Sequence, residues 1–499
     1  MELTINSEQL PKGNVLMIHP PYIHYTGSFF RDKNPYLPVG LLYAGQALEN
    51  LKLAQVDYHD CQLHDISGRD DLSDFDSLGI NVMGTQNIAA AHWMYDFLVN
   101  RGVEPKKIFM GGQGIEGLLH EEFSSMFPQA HQSPRASLTT SPDYWKVTFE
   151  NQLNKFSDND MRTYLNNEST LLFSQGCLFH CDFCGAQTKR QESFYNTEGN
   201  LRAIAEKAKE LEIKDLSFYC TSLDFFQDAL KPPVTGELEK RLKMIERVEA
   251  ETGIPMRLRA LSRADSYESA IQLDLINTAK RAGFYQFGFG ADGAADISLL
   301  KAIHKGDNRL ETRLFRVFEH AEKNGISPEI LYVFGIPEDT DDTLNKTREL
   351  CVGLLNAFST SVYRGFPAKN EIPGNANWPK QSFKRSAVYR RLLDNPLLFL
   401  NLGFETLANA VSHPNPELRR KVNRCAIEMS QKAHDLGRVQ SFLTIPLMDT
   451  NGTELMDQQS FDSFREIIRH YAPDLANDIT LENLPDYRAE LNKRIPKDK

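Results

Sequence analysis

Three cysteines, Cys177, Cys181 and Cys184, follow one another at C-x3-C-x2-C spacing directly after the apolar run 171–173. Thiolates are the usual ligands of iron-sulphur clusters, which normally take four of them. The nearest further cysteine, Cys220, is too remote in the chain to belong to the same loop. The spacing therefore predicts an iron-sulphur cluster with one iron left open for a small molecule.

A zinc knuckle is the alternative for the same three cysteines. Structural zinc takes four ligands, and His180, directly beside Cys181, is poorly placed to supply the fourth. We therefore favour the cluster and keep zinc as the minor interpretation.

The spacing, with the aromatic Phe183 before the third cysteine, resembles the signature of radical S-adenosylmethionine (SAM) enzymes. The resemblance implies that SAM binds the open iron through its amino and carboxylate groups. It also implies that an electron from a [4Fe-4S] cluster cleaves SAM to a 5'-deoxyadenosyl radical, which attacks an otherwise inert C–H bond. An electron donor such as a flavodoxin or ferredoxin is then an expected partner.

Length, composition and charge limit the other possibilities. A chain of 499 residues is too long for one ordinary core, so two or three domains are expected. With 41% hydrophobic and 25% charged residues, the composition is that of a soluble globular protein. A net charge of -11 argues against nucleic acid as the main partner.

The chain opens without a basic-then-apolar signal, and no apolar run approaches the ~18 residues of a membrane span. We therefore expect a cytoplasmic protein. Of the seven cysteines, the four outside the cluster stand alone, so no disulfide framework is expected.

Residues 1–135 alternate between strand-like and helix-like patterns. Short apolar runs between helical stretches predict βαβ units, and hence an α/β, doubly wound, Rossmann-like domain with a parallel sheet. The predicted strands are 15–18, 54–58, 77–83 and 107–110, and the predicted helices are 41–48 and 88–99. Turn residues follow the strands, where such a sheet binds its ligand.

Segments 17–22, 37–44, 78–83 and 108–112 together resemble the cobalamin-binding domain that precedes many radical SAM domains. A single glycine turn among them is equally well explained as a tight turn. The resemblance implies that cobalamin is contacted by Pro21, Tyr22, Pro38, Gly40, Thr85, Asn87, Gly111, Gly112 and Gln113.

The sequence departs from the cobalamin-binding pattern at the histidine that would be the lower ligand of cobalt. Domains that bind cobalt through histidine carry D-x-H-x-x-G, whereas Asp57 and His59 are followed by Gln62 at the glycine position. We therefore interpret His59 and His64 as surface or loop histidines. Many relatives also lack this histidine, so base-off cobalamin and a domain that has lost the cofactor both stay open.

The rest of the chain divides into three segments. In 136–168 the periodicity weakens, and we interpret this segment as a linker, with a helical elaboration as the alternative. In 169–385 strands and helices alternate, which predicts a partial (β/α)6 barrel with ligand groups at the carboxyl ends of its strands. Residues 386–499 have helical periodicity and are predicted as a mostly helical C-terminal domain. The predicted barrel strands are 171–174, 215–219, 256–261, 284–289, 329–334 and 359–363.

Further segments at the predicted strand ends resemble radical SAM motifs: R-x-D at 263–265, G-x-E-S-G with a later K-G within 288–306, and G-x-P-x-E from 335. Asp292 departs from the family pattern, which usually has glutamate there. The resemblance implies that SAM is contacted by Phe183, Arg263, Asp292, Gly335, Ile336 and Pro337.

Cys220 lies at the end of the second predicted barrel strand, where relatives often have an acidic pair followed by an aromatic residue. A thiol near a radical can donate hydrogen or a proton, so Cys220 is a candidate catalytic residue. The alternative is a small buried apolar residue, which is how free cysteine mostly behaves.

The leading hypothesis is a cobalamin-dependent radical SAM enzyme that methylates an unactivated carbon of a small molecule or peptide. Three alternatives stay open. They are a cobalamin-binding radical SAM cyclase or rearrangement enzyme, a radical SAM enzyme whose N-terminal domain has lost cobalamin, and a binding or sensory module with a structural cluster.

Overall fold

A computed structural model describes residues 10–20, 22–23, 29–30, 35–82, 88–116, 118, 120–133, 148–174, 177–179, 181, 196–230, 235–305, 309–336, 338–367, 415–438, 469 and 473–480.

The N-terminal strands form one parallel sheet and one small hairpin. They are β1 (Gly13–His19), β2 (Tyr22–Ile23), β3 (Phe29–Phe30), β4 (Ala54–Asp60), β5 (Ser77–Asn81), β6 (Ile108–Gly111) and β7 (His131–Gln132). The sheet has the order β4-β1-β5-β6-β7, and β2 pairs with β3. After β1 the chain adds β4 on one side of it and then β5, β6 and β7 on the other side, so the strand order reverses at β1. Doubly wound sheets bind ligands at such a switch point, outside the carboxyl ends of the strands.

Helices cover both faces of this sheet. They are α1 (Val39–Asn50), α2 (Ile88–Asn100), α3 (Gln113–Glu116) and α4 (His120–Met126). Because side chains alternate along a strand, Val15 and Met17 of β1 pack with α1, whereas Leu16 and Ile18 pack on the side of α2. The predicted doubly wound domain is confirmed.

The described part of the predicted linker contains two short helices, α5 (Glu150–Leu153) and α6 (Asp158–Leu165). Tyr164 is fully buried in a core that also contains side chains of α1 and of the second sheet. The Gln152 amide donates to Glu49 at 2.6 Å, and the Tyr58 hydroxyl donates to Gln152 at 2.7 Å. These contacts join the segment to α1 and β4.

The second sheet is also parallel. Its strands are β8 (Glu168–Leu171), β9 (Leu216–Cys220), β10 (Met256–Ser262), β11 (Phe284–Gly290), β12 (Ser327–Phe334) and β13 (Val362–Pro367). Each strand pairs with its neighbours in sequence, in the order β13-β12-β11-β10-β9-β8. Six strands in this order form an open barrel, so the predicted partial (β/α)6 barrel is confirmed.

The barrel helices lie between and after these strands. They are α7 (Thr197–Glu210), α8 (Thr235–Thr252), α9 (Ala264–Gln272), α10 (Leu275–Arg281), α11 (Ile297–Ala302), α12 (Leu310–Lys323), α13 (Asp341–Ala357) and α14 (Pro416–Asp435). A break between α9 and α10 interrupts the helical pattern at Asp274, which has a left-handed φ of 54°. Among the described helices, none is both long and apolar enough to cross a bilayer.

Helix α14 packs on the barrel although the sequence assigns it to a separate C-terminal domain. The Tyr363 N–H of β13 donates to the Arg438 carbonyl at 3.1 Å, just beyond the end of α14. Arg348 of α13 donates to Glu428 of α14 at 2.6 Å. α14 therefore occupies the position of a helix following the sixth barrel strand.

Candidate functional site

The first two cysteines of the motif lie in the loop after β8. Cys177 and Cys181 are partly exposed, whereas the four cysteines outside the motif are all buried. Gln227, from the loop after β9, accepts a hydrogen bond from the Leu178 N–H at 3.0 Å and fixes the loop backbone. Accessible thiols on a tethered loop are suited to binding iron. Cys184, the third predicted ligand, and Phe183 lie outside the described residues.

Arg263 joins the cysteine loop to the end of β10. Its guanidinium carbon lies 3.7 Å from the ring centroid of Phe179, a cation–π contact. Its N–H groups donate to Asp265 at 2.9 Å and to the Lys305 carbonyl at 3.0 Å. Burial lowers the pKa of Arg263, but the hydrogen bonds and the charge of Asp265 outweigh burial and raise the pKa. Cys181 makes a further upward contribution. A permanent positive charge near the thiols favours their thiolate form.

Asp224 holds the backbone from which Arg263 extends. Its buried carboxylate accepts hydrogen bonds from the Arg263 N–H at 3.1 Å, the Ser262 hydroxyl at 3.2 Å and the Ser266 hydroxyl at 2.6 Å. Burial raises the pKa of Asp224 to about 6, although these hydrogen bonds oppose the shift. Asp224 is absent from the predicted site because its partners are distant in sequence.

The raised pKa of Asp224 predicts a pH-dependent stability. Its folded-state pKa of about 6 lies above the ordinary 3.8, so the carboxyl group contributes stability below about pH 4 that is lost as pH rises through 6. Between about pH 4.5 and about pH 7.5, Asp224→Asn should gain about 2 kcal/mol in the free energy of unfolding relative to the wild type. Denaturant unfolding of both proteins at the two pH values measures this difference. A pH-independent difference would contradict the prediction.

Asp292, a predicted SAM contact, forms hydrogen bonds with other residues of the barrel. Its Oδ2 accepts a hydrogen bond from Lys305 Nζ at 2.7 Å, and its Oδ1 accepts one from the Val333 N–H at 2.8 Å. Lys305 Nζ also donates to the Gly290 carbonyl at 2.7 Å. Both charged residues are buried. The pair therefore fixes the loop after β11, and a direct contact between Asp292 and SAM stays a prediction.

Asp339 fixes the loop after β12 in a similar way. Its Oδ2 accepts hydrogen bonds from the N–H groups of Gly335 at 2.8 Å and Ile336 at 3.2 Å, and its Oδ1 accepts one from the Thr343 hydroxyl at 2.9 Å. Gly335 has a φ of 74°, a conformation that favours glycine. The two predicted SAM-binding residues Gly335 and Ile336 are thus held by a carboxylate missing from the predicted site. Pro337 lies outside the described residues.

We expect Asp339→Ala to weaken SAM binding about tenfold, or about 1.4 kcal/mol, because the two N–H groups lose the acceptor that orders the loop. Equilibrium dialysis of SAM against cluster-loaded protein measures the effect. Asp342→Ala is the matched control, because Asp342 lies three residues further on, in the first turn of α13, and its exposed side chain pairs with Lys346. Equal losses in both variants would count against the role of Asp339.

The described residues of the predicted cobalamin set lie at the carboxyl edge of the first sheet. Pro38 precedes α1, and Gly40 is an exposed residue in the otherwise buried first turn of that helix. Gly111 is the last residue of β6, and Gly112 follows it. Gly112 has a φ of 110°, and a Cβ there would lie 2.5 Å from the Val82 carbonyl oxygen, so a side chain does not fit. Three residues, Pro21, Thr85 and Asn87, lie outside the described residues, as do the side chains of Tyr22 and Gln113.

A polar cluster lies at the same edge, where β1 and β4 end. His19 is 5% exposed, and its Nδ1 lies 3.4 Å from Asp60 Oδ1. The Tyr164 hydroxyl donates to Asp60 Oδ2, and the Gln62 N–H donates to Oδ1 at 2.8 Å. Burial pushes the pKa of Asp60 upward, but His19 and these hydrogen bonds outweigh it and lower the pKa. The Gln62 side chain also donates to the Pro20 carbonyl at 2.9 Å, so it ties down the loop after β1.

The interpretation of His59 as a surface or loop histidine is wrong. His59 lies within β4 and is 8% exposed, on the face of the strand opposite to Asp60. Burial lowers its pKa to about 4, with smaller contributions from Arg69 and His64, so the ring is neutral at neutral pH. His64 lies in the turn that follows, with a half-exposed side chain whose Nε2 is 2.8 Å from Asp160.

The cysteine loop and the first sheet are connected through α1. The Tyr43 hydroxyl of α1 accepts a hydrogen bond from Asn200 of α7 at 2.6 Å, and its ring lies 5.2 Å from that of Phe149. α7 begins just beyond the cysteine loop, and its Thr197 hydroxyl donates to the Leu172 carbonyl at 3.0 Å. The helix that starts at the ligand edge of the first sheet therefore packs against the helix that follows the cysteines.

Cys220, the candidate catalytic residue, lies in the core. It alternates along β9 with Tyr219 and shares the buried face of Phe218, whereas Tyr219 lies beneath Arg259, 4.6 Å from its guanidinium carbon. Cys220 is 0% exposed, and burial raises the pKa of its thiol. The burial of Cys220 favours the apolar alternative, and its catalytic role stays a prediction. Turnover by Cys220→Ala tests the predicted catalytic role directly.

Comparisons with known proteins agree with the barrel and the cysteine motif. Residues 171–351 match the family model described as the radical SAM superfamily. No curated protein matches the chain.

Two solved structures of TsrM, a radical S-adenosylmethionine methyltransferase from Kitasatospora setae, are similar to the chain at 14% sequence identity. The structure with tryptophan substrate and a SAM analog (aza-SAM) has a TM-score of 0.49, and the match covers 70% of this chain and 72% of that chain. The structure with cobalamin and a [4Fe-4S] cluster has a TM-score of 0.48 and coverages of 71% and 75%.

The family match spans the strand that leads into the cysteines and continues through the loops held by Arg263, Asp292 and Asp339. Domains of this superfamily use a [4Fe-4S] cluster and SAM, which agrees with the chemistry predicted from the cysteine spacing. Residues 171–351 of this chain are therefore similar to a radical SAM domain.

Proposed function

We propose that this chain is a cobalamin-dependent radical SAM methyltransferase that acts on an unactivated carbon of a small molecule or peptide. The packing of α1 against α7, through Tyr43 and Asn200, carries the proposal. It links the ligand edge of a doubly wound sheet to the segment that bears the cysteines. Two cofactors held by elements that pack against each other would be kept close together, so their reaction would not require a bimolecular encounter.

The residues of the barrel fit a cluster and SAM. When bound, the cluster supplies the electron that cleaves SAM to a 5'-deoxyadenosyl radical. Cys177, Cys181 and Cys184 would hold the cluster, and Arg263 would stabilise its thiolates. Asp292 and Asp339 hold the loops after β11 and β12 in place. Ordering these loops in advance reduces the entropy lost when SAM binds.

The edge of the first sheet also fits a large cofactor. Among the described residues, a Cβ added at Gly40 would meet nothing within 4 Å, so α1 is open to a ligand at this position. Gly112 permits the tight turn after β6, and the switch point at β1 is where such sheets bind ligands. When bound, cobalamin would supply a carrier for the methyl group.

A substrate-free experiment separates the alternatives. Anaerobically purified protein is reconstituted with iron, sulphide and hydroxocobalamin, desalted, and then incubated with dithionite and SAM that carries an isotopic label in its methyl group. We expect 5'-deoxyadenosine, a retained corrinoid and transfer of the label to that corrinoid. Replacing dithionite by reduced flavodoxin or ferredoxin tests the expected electron donor.

Each component of the proposal has its own negative outcome. A fully loaded cluster that yields no 5'-deoxyadenosine would reject radical SAM activity. Loss of the corrinoid on desalting would indicate a radical SAM enzyme without cobalamin. A retained corrinoid that stays unlabelled would favour cyclisation or rearrangement over methyl transfer.

A further inference from the structure

A buried glutamine lies beside the first cysteine of the motif. Gln227 begins the short helical turn Gln227–Leu230 after β9, and it is 0% exposed. Its Oε1 accepts a hydrogen bond from the Leu178 N–H at 3.0 Å. Leu178 directly follows Cys177, so the Gln227 side chain lies against the backbone of the cysteine loop.

The nitrogen of the same amide group has no partner. Within the described part of the chain, Nε2 of Gln227 is buried and makes no hydrogen bond. The bond from Leu178 identifies the two amide atoms, because only the oxygen can accept from a backbone N–H. A buried N–H group without an acceptor is unfavourable, so its presence requires an explanation.

The unpaired nitrogen lies close to the sulphur of Cys177. The two polar atoms of an amide are about 2.3 Å apart, so Nε2 is no further than about 5.5 Å from the Leu178 nitrogen. The next N–H group, that of Phe179, donates to Cys177 Sγ at 3.5 Å. The side chains of Cys177 and Gln227 therefore contact neighbouring N–H groups of one loop.

The position of this nitrogen distinguishes it from other buried polar atoms. The Tyr267 hydroxyl, for example, also lacks a hydrogen bond among the described residues. It belongs to a ring that packs against the rings of Phe226 and Phe287, within the apolar core of the barrel. Gln227 instead contacts the segment that would bear the sulphurs of a cluster.

We propose that Nε2 of Gln227 donates a hydrogen bond to a sulphur of the cluster, either the Cys177 thiolate or a sulphide beside it. Such bonds stabilise the reduced cluster, which carries more negative charge, and so raise its reduction potential. The oxygen of the amide would hold the loop, and the nitrogen would adjust the potential. This proposal rests on the cluster of the proposed function and requires neither cobalamin nor methyl transfer.

The reduction potential gives the first test. Full-length protein is reconstituted anaerobically with iron and sulphide, and the midpoint potential of its [4Fe-4S] cluster is measured by redox titration followed by electron paramagnetic resonance (EPR), without SAM. We expect a lower midpoint potential in Gln227→Met than in the wild type, because methionine keeps the length of the side chain and removes the donor. An unchanged potential would overturn the proposal.

Gln152→Met is the matched control for this titration. Gln152 is equally buried, but it lies on α5 and hydrogen-bonds to Glu49 and Tyr58. The same substitution there should leave the midpoint potential unchanged. An equal fall in both variants would show a general effect of losing a buried amide and would overturn the specific role of Gln227.

Pulsed EPR gives a second test, which a purely structural role of Gln227 would not pass. The protein is made by cell-free synthesis with glutamine that carries nitrogen-15 in its side-chain amide, and its cluster is reduced by one electron. A hydrogen bond from the amide to a cluster sulphur transfers spin density to the nitrogen, so we expect a nitrogen-15 coupling in the wild type. Gln227→Glu keeps an acceptor for the Leu178 N–H but has no nitrogen, and the coupling should disappear. A coupling that persists in Gln227→Glu would come from another glutamine and would overturn the proposal.

The outcomes also separate this proposal from the proposed function. A wild-type cluster that cleaves SAM but shows no nitrogen-15 coupling would overturn the role of Gln227 and leave the proposed function intact. Wild-type protein that takes up no cluster would overturn both.

Discussion

Cys181→Ala is expected to lower SAM cleavage by about a thousandfold or more, because the variant lacks one of the three thiolates that hold the cluster. Cys181 is partly exposed on a loop, so its replacement should leave the barrel core unchanged. Iron and acid-labile sulphide in the reconstituted protein measure cluster content. The yield of 5'-deoxyadenosine after reduction measures cleavage, and both should fall together.

Cys351→Ala is the matched control for this experiment. Cys351 is also a barrel cysteine, but it is fully buried on α13. Its loss removes little volume from the core, and free buried cysteine behaves as a small apolar residue. We expect this variant to keep its iron and its SAM cleavage. Loss of iron from Cys351→Ala, or full cleavage by Cys181→Ala, would contradict the assignment of the ligands.

The elements of the fold were predictable because their signals are local. Apolar runs of strand length and amphipathic helices alternate along both sheets, and hydrophobic periodicity requires no knowledge of distant contacts. The cysteine motif is equally local. Cys181 and Cys184 are close in sequence, and their spacing alone restricts the chemistry.

The supports of the site were not predictable in this way, because they join residues that are far apart in sequence. Asp224 binds Ser266 on another element, and Asp60 binds Tyr164, 104 residues away. A single carboxylate in a sequence does not reveal such partners. Burial changes the chemistry of these groups as well, since it raises the pKa of Asp224 to about 6.

Strand alternation bears on Cys220 and on His59 in different ways. Cys220 lies two residues after Phe218, so both share the apolar face of β9, and Tyr219 lies on the other face. His59 lies in a strand, where every second residue faces one side of the sheet. His59 shares its face of β4 with Gln55 and Asp57, which are both exposed, so a strand assignment extended to residue 60 would not have predicted its burial.

An ion pair between two barrel strands leads to the second large expected effect, which is on stability. Glu168 on β8 and Arg259 on β10 form a bidentate ion pair, with both N–O distances at 2.6 Å. The Arg259 guanidinium also lies over the ring of Tyr219 on β9, the strand between them. The two charged side chains are only 18% and 13% exposed. The pair therefore connects the first and third strands of the barrel across the second.

Glu168→Gln is expected to lower the free energy of unfolding by about 3 kcal/mol, because it leaves the Arg259 charge buried without its partner. Glu168→Gln combined with Arg259→Met removes both charges and should recover much of this loss, since the cost comes from the unpaired charge rather than from the missing pair. Anaerobic denaturant unfolding of the wild type, both single variants and the double variant measures the coupling. Glu237→Gln is the control, because its ion pair with Lys240 is exposed to solvent and should contribute far less to stability. A double variant as unstable as the sum of the single variants would show that the two charges act independently.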